Sequence, residues 1–224
     1  MRTSVLRGLV WVVWLSVGVA YAGNVSFTGA FTADDQVETF QFTALTATFT
    51  AQTWSYAGGT NAAATVIPAG GFDPVLSLFS ATGGLLPSSP LKAENNDGAG
   101  VATDLSSGLA LDSLLSFGTL TPGGTYVLVL SENDNLPNGP TYGNGFSQTG
   151  NGNFTATEFG CSASSPFCDW GVDQRDGHWA VDINGVTSAQ DLSAGGGTPE
   201  PGTVWLLSAG LAGVALLRRR RKLV

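Results

Sequence analysis

Through the middle of the chain, apolar residues alternate with Thr, Ser and Gln, the two-residue period of a half-buried strand. Val25, Phe27 and Phe31 sit among Thr and Gly, and Phe40 and Phe42 share one face. Leu45, Ala47, Phe49 and Ala51 alternate with Thr46, Thr48, Thr50 and Gln52, which predicts one continuous strand over those eight positions. Leu76–Leu78, Leu115–Phe117, Tyr126–Leu128–Leu130 and Trp179–Val181–Ile183 predict further strands, punctuated by Gly-Gly, Pro-Gly and Asn-Gly pairs. No stretch between residues 23 and 193 carries a helical period. The expected fold is all-β, an antiparallel sandwich of jelly-roll or Greek-key type.

Two longer apolar runs break the alternation, one at each end. Leu9–Val19 follows the cations Arg2 and Arg7 and precedes Ala20-Tyr21-Ala22, a small-x-small site before Gly23. This order predicts a signal helix removed by cleavage between Ala22 and Gly23. Val204–Leu217 carries no charge and is followed by Arg218, Arg219, Arg220, Arg221 and Lys222. Its 14 residues fall short of the roughly 17–25 of an ordinary span, although snorkelling cations extend its reach. The cations hold the tail on the cytoplasmic side and leave everything before it outside. The organisation expected is a signal peptide (1–22), a sandwich ectodomain (23–193), a Gly/Pro linker (194–203), a membrane helix (204–217) and a basic tail (218–224).

Ahead of the second run lies Pro199-Glu200-Pro201, followed by Gly202. The succession of Pro-Glu-Pro, a short apolar helix and a basic terminus resembles the PEP-CTERM sorting signal of Gram-negative bacteria. The resemblance implies an exosortase-type membrane enzyme as partner and at least transient residence on the periplasmic side of the inner membrane. Processing would then deliver the protein to the cell surface or the extracellular matrix. A permanent C-terminal anchor is the alternative reading.

Charge changes the picture once the termini are set aside. Of 9 basic residues, only Lys92 and Arg175 lie between Gly23 and Gly197; of 17 acidic residues, only Glu200 lies outside it. The exported portion therefore carries 16 acids and 2 bases, a net charge of −14. Such a surface repels nucleic acid and anionic headgroups, which excludes both as partners of this portion.

The segments Asp34–Phe42, Phe72–Phe79, Asn95–Gly98, Leu111–Leu115 and Pro122–Val129 together resemble bacterial pre-peptidase C-terminal domains over residues 25 to 135. With the tail, the whole chain resembles the DVUA-type family of exported PEP-CTERM proteins. The resemblance implies a non-catalytic β-sandwich, of which some members bind calcium. Asp73, Asn96, Asp97, Asp112 and Asp134 fall where strands begin or end, and carboxylate and amide oxygens are the donors calcium takes. Asx turns, whose side chains bond their own backbone, are the competing account of the same residues.

Cys161 and Cys168 are the only cysteines, and in an exported protein an even pair predicts a disulfide. The Asn/Gly/Pro-rich stretch from Asn133 to Asn153 carries Tyr142 and Phe146, and Trp54, Tyr56, Trp170 and Trp179 are further aromatics. Each invites either a sugar-stacking or a core reading. The one histidine, His178, has no nucleophile elbow or His-Glu-x-x-His motif around it. The sequence thus predicts a non-enzymatic surface or matrix protein, with an exopolysaccharide-binding module as the alternative.

Overall fold

In the computed structural model, the described residues are 23–162, 166–171 and 173–193. The predicted signal peptide, Pro-Glu-Pro motif, apolar tail helix and basic terminus lie outside them. Among the described residues no helix is long and apolar enough to cross a membrane.

The described residues form thirteen strands: β1 (Asn24–Ala30), β2 (Val37–Ala44), β3 (Phe49–Thr53), β4 (Gly59–Thr60), β5 (Val66–Ile67), β6 (Pro74–Ser80), β7 (Leu91–Asn96), β8 (Leu114–Phe117), β9 (Thr125–Glu132), β10 (Cys168–Asp169), β11 (Asp173–Gln174), β12 (His178–Asn184) and β13 (Val186–Asp191). Nine build two antiparallel sheets, ordered β1-β12-β3-β8 and β13-β2-β9-β6-β7. The pairs β4–β5 and β10–β11 are short ribbons in the connections. Among the nine strands of the two main sheets, only β6 and β7 are both consecutive and paired, so the chain repeatedly crosses between sheets. This is the antiparallel sandwich that the alternation predicts.

The inner faces meet in an aromatic seam. Phe42 of β2 stacks on Phe49 of β3 at 4.7 Å and 5°, joining the two sheets. Phe27 lies 4.8 Å from Phe40, and Trp179 meets Phe40 edge-on at 5.7 Å. Each fully buried aromatic of this kind contributes about 2–3 kcal/mol of transfer free energy. Gly29, opposite Trp179 in the β1–β12 register, leaves room for the indole, because a Cβ there would collide with the ring.

β9 is buried from Tyr126 to Glu132 on both faces. Leu128 and Leu130 enter the seam, whereas Val127 and Val129 join Phe79, Ala81 and Phe146 in a second cluster on the outer face of the five-stranded sheet. The 133–153 excursion covers that face, tied down where Tyr142 N donates to Ser89 O and Leu91 N to Pro140 O.

Two expectations are corrected. Positions 45–52 do not form one strand: Ala44 ends β2 in one sheet and Phe49 begins β3 in the other. Thr46 Oγ1 donates to Thr48 O, closing the turn, and Leu45 N donates to Gly185 O. Periodicity continues through this corner by coincidence, because the side chains change sheets while keeping their alternation. A short helix, α1 (Phe154–Phe159), also occurs where none was predicted. Asp34, distant in sequence, accepts from Phe154 N, Thr155 N and Thr155 Oγ1 and so caps it. Six residues held by a tertiary cap leave no local periodic signal.

Candidate functional site

Register sorts the charges. The starts of β2 and β6 and the ends of β1, β3, β7, β9 and β13 lie at one end of the sandwich. The connections there, 31–36, 54–73, 97–113 and 154–177, together with Glu38, Glu132, Asp134 and Asp191, hold 14 of the 16 acids; Glu94 and Asp182 lie mid-strand. The opposite connections, 45–48, 81–90, 118–124 and Gly185, hold none. The chain leaves toward residue 194 from the acidic end, since Asp191 pairs with Phe40 near the start of β2.

At the centre of that end are two buried carboxylates. Asp73 precedes β6 and Glu132 ends β9, where it pairs with Pro74, so adjacent strands bring them together. They are 6% and 3% exposed, and Asp73 Oδ1 and Glu132 Oε2 have no hydrogen-bond partner. Burial, then the surrounding acids, push both well above the ordinary carboxylate range: Asp97, Asp169, Asp112 and Asp134 act on Asp73, and Asp73, Asp34, Asp134 and Asp169 act on Glu132. Asp97 is also raised, by burial and then by Asp169.

The other predicted residues surround this pair. Asn96 Nδ2 donates to Asn133 Oδ1 at 3.0 Å, bridging the ends of β7 and β9. Asp97 and Asp134 hold left-handed backbones (φ 61° and 67°), which turns the chain sharply just beyond each strand. Asp112 is placed differently: its carboxylate accepts from Thr53 Oγ1, Ser55 N, Tyr56 N and Ala57 N. It organises the loop after β3, and its oxygens are occupied by those four donors. Asp112 is thus a tertiary loop anchor and not an Asx turn, since its donors lie 55–59 positions away, whereas Asp73 has a lone oxygen that a turn leaves unexplained.

Glu132, Asn133 and Asp169 were not singled out from the sequence. Glu132 continues the inward face of Leu128 and Leu130 at the end of β9, and its pairing with Pro74 sets it beside Asp73. Asp169 accepts from Tyr56 Oη at 2.6 Å. The Tyr56 hydroxyl is pushed well above its ordinary value by burial and then by Asp169. Arg175, 5% exposed, pairs with Asp104 at 3.0 Å and Asp173 at 2.6 Å and lies 3.7 Å over the Tyr56 ring. Burial opposes the charge on Asp104, but hydrogen bonds from Ser106, Arg175 and Ser107 outweigh it and hold that carboxyl well below its usual range.

Donor chemistry at Asp73 and Glu132 is hard oxygen throughout, the preference of calcium or magnesium and not of zinc or copper. Among the described residues no group of three or more His, Cys, Asp or Glu side chains is already drawn together to hold a metal ion. A cation here would use amide and backbone oxygens beside the two carboxylates.

The predicted disulfide joins Cys161 to Cys168 across 6.1 Å between Cα atoms. Of the aromatics read as sugar platforms, Tyr56, Trp179 and Phe146 are buried, and Tyr142 packs edge-on against Phe79 and Phe146. Trp170 is 80% exposed and stands singly. His178 directs Nδ1 to Asp176 and Nε2 to Pro68 O, while Ser55 Oγ donates to the backbone carbonyls of Phe72 and His178. These bonds pin loops together.

Comparison with known proteins gives one match, to the PEP-CTERM protein-sorting motif over residues 198–221. No curated protein and no solved structure matches the chain, so the resemblance of residues 25–135 to pre-peptidase domains has no counterpart there. The C-terminal segment is a sorting signal of the PEP-CTERM kind, which marks an exported protein handled by an exosortase, and the sandwich ahead of it is what that signal sorts.

Proposed function

We propose that this protein is a non-catalytic component of the cell surface or extracellular matrix whose acidic end is stabilised by calcium. The observation that carries the calcium reading is the pair of partnerless buried oxygens, Asp73 Oδ1 and Glu132 Oε2. Buried acceptors without donors cost about 1–3 kcal/mol each, and a divalent cation relieves both that cost and the repulsion between the acids. Asp73 and Glu132 would be the principal ligands, with Asn96, Asp97, Asn133 and Asp134 around them. Calcium bound there would supply positive charge and tie together the ends of β6, β7 and β9. The non-catalytic reading is supported by the structural bonds that engage His178, Ser55, Asp112 and Asp182.

The test is thermal unfolding of residues 23–197, which include every strand of both sheets, in EDTA and in millimolar calcium. A ligand that binds only the native state adds about 2.7 kcal/mol at a concentration one hundred times its Kd. Calcium should raise the Tm of the native protein by several degrees, and Asp73→Asn combined with Glu132→Gln should abolish the rise. An unchanged native Tm would overturn the calcium reading.

Saccharide binding is the second reading. The feature that favours it lies away from the predicted aromatics, at the carboxylate-free end of the sandwich.

A further inference from the structure

We propose that the cleft at the carboxylate-free end binds an anionic saccharide, with the Lys92 ammonium holding a sugar carboxylate. This deepens the saccharide reading above and is independent of calcium, which concerns the other end. The cleft has a volume of about 450 Å³, within the range of small-ligand sites. It lies among the end of β6, the bend in β7 and the 118–124 turn, and is lined by Ser80, Thr82, Thr119, Thr121, Tyr126 and Lys92, among others.

Three observations converge on it. The first is the placing of Lys92. In the β6–β7 register Leu78 faces Ala93 and Phe79 faces Leu91, so Lys92 is the extra residue of a bulge. A bulge bends its strand and re-aims the side chain it carries, and here that side chain lines the cleft. A lysine on an edge strand also discourages edge-to-edge pairing, but that role requires neither a bulge nor a cleft.

Charge segregation is the second. Arg175 is buried among Asp104 and Asp173, which leaves Lys92 as the exposed cation of the described residues. No carboxylate occupies the connections at this end. The eight residues of β9 span about 26 Å, some three Debye lengths at physiological ionic strength, so the acidic end does not cancel Lys92. The one acid near it on β7, Glu94, lies beyond the bulge opposite Ser77, whose hydroxyl donates to it.

The third is the lining chemistry. The hydroxyls of Ser80, Thr82, Thr119 and Thr121 have no hydrogen-bond partner among the described residues, and they can serve sugar hydroxyls. Tyr126 Oη accepts from Thr121 N at 2.9 Å, which fixes the turn beside the cleft, and the half-buried Phe117 offers ring surface to sugar C–H groups.

The experiment is calorimetric titration of the full-length protein in detergent with tetragalacturonate, in EDTA so that calcium plays no part, with cellotetraose as the neutral control. Tetragalacturonate should bind, and its affinity should fall as salt rises from 50 to 300 mM. Lys92→Gln should weaken binding about tenfold or more at unchanged Tm, the value of a charge-assisted hydrogen bond, and Lys92→Arg should retain it. No binding at millimolar tetragalacturonate, equal binding of cellotetraose, or an unaffected Lys92→Gln variant would each overturn the proposal. None of these outcomes bears on the calcium melting test.

Discussion

The carboxyl groups of Glu38 and Asp191 lie within hydrogen-bonding reach across the β2–β13 pair, and neither Glu38 Oε1 nor Asp191 Oδ2 has a donor. Two ionised carboxylates repel each other, so a proton on Glu38 makes the contact favourable. Burial, and then Asp191, push Glu38 from 4.5 up to about 7. Ser193 and the backbone of Thr39 act in the other direction, and β9 presents the apolar Leu130 opposite Glu38.

A raised carboxyl pKa means that the native state holds the proton more tightly than the unfolded chain. This contribution is complete below pH 4.5 and is lost as pH climbs through 7. Asp73 and Glu132, also raised, act in the same sense. Without calcium, melting temperature should therefore increase between pH 7.5 and 5.5. Glu38→Gln, which donates to Asp191 at every pH, should be the more stable variant at pH 7.5 by about 1–2 kcal/mol and should show a flatter profile. A Glu38→Gln profile parallel to that of the native protein would exclude the proton on Glu38.

Arg175 couples three connections at the acidic end through Asp104, Asp173 and the Tyr56 ring. Removing one partner of a buried pair leaves uncompensated charge at a cost of about 3–5 kcal/mol. Arg175→Met should lower stability by roughly 3 kcal/mol in urea denaturation. Arg175→Met combined with Asp104→Leu should recover part of the loss, because the stranded carboxylate has gone as well.

The Cys161–Cys168 bridge closes a loop of seven positions between α1 and β10. Chain entropy alone assigns such a loop about 2 kcal/mol. Cys161→Ser with Cys168→Ser should destabilise by that amount in equilibrium unfolding. Increased hydrogen exchange should be confined to the 154–177 connection, because both sheets form their cores without the bridge.

Much of the fold is legible because strands bury alternate residues. Phe40 and Phe42, Leu128 and Leu130, and Val181 and Ile183 reach the core through that period alone. The chain's corners are less legible. At Leu45–Thr48 the alternation persists while the backbone passes from one sheet to the other, and nothing local distinguishes a straight strand from a turned one. Helix α1 depends on Asp34, about 120 positions away, and so leaves no sequence signature.

By itself the sequence determined the strand composition of the sandwich, the cysteine pair and the sorting tail, since each is written in contiguous or alternating residues. It also marked Asp73, Asn96, Asp97, Asp112 and Asp134 as oxygen donors at strand ends. Only the tertiary structure decided that Asp112 is saturated by loop amides, that Glu132 is buried beside Asp73, and that Lys92 sits at a bulge facing a carboxylate-free cleft. Those facts depend on which strand ends lie side by side. That is a matter of register between segments scores of residues apart, and the two-residue period along any one strand does not encode it.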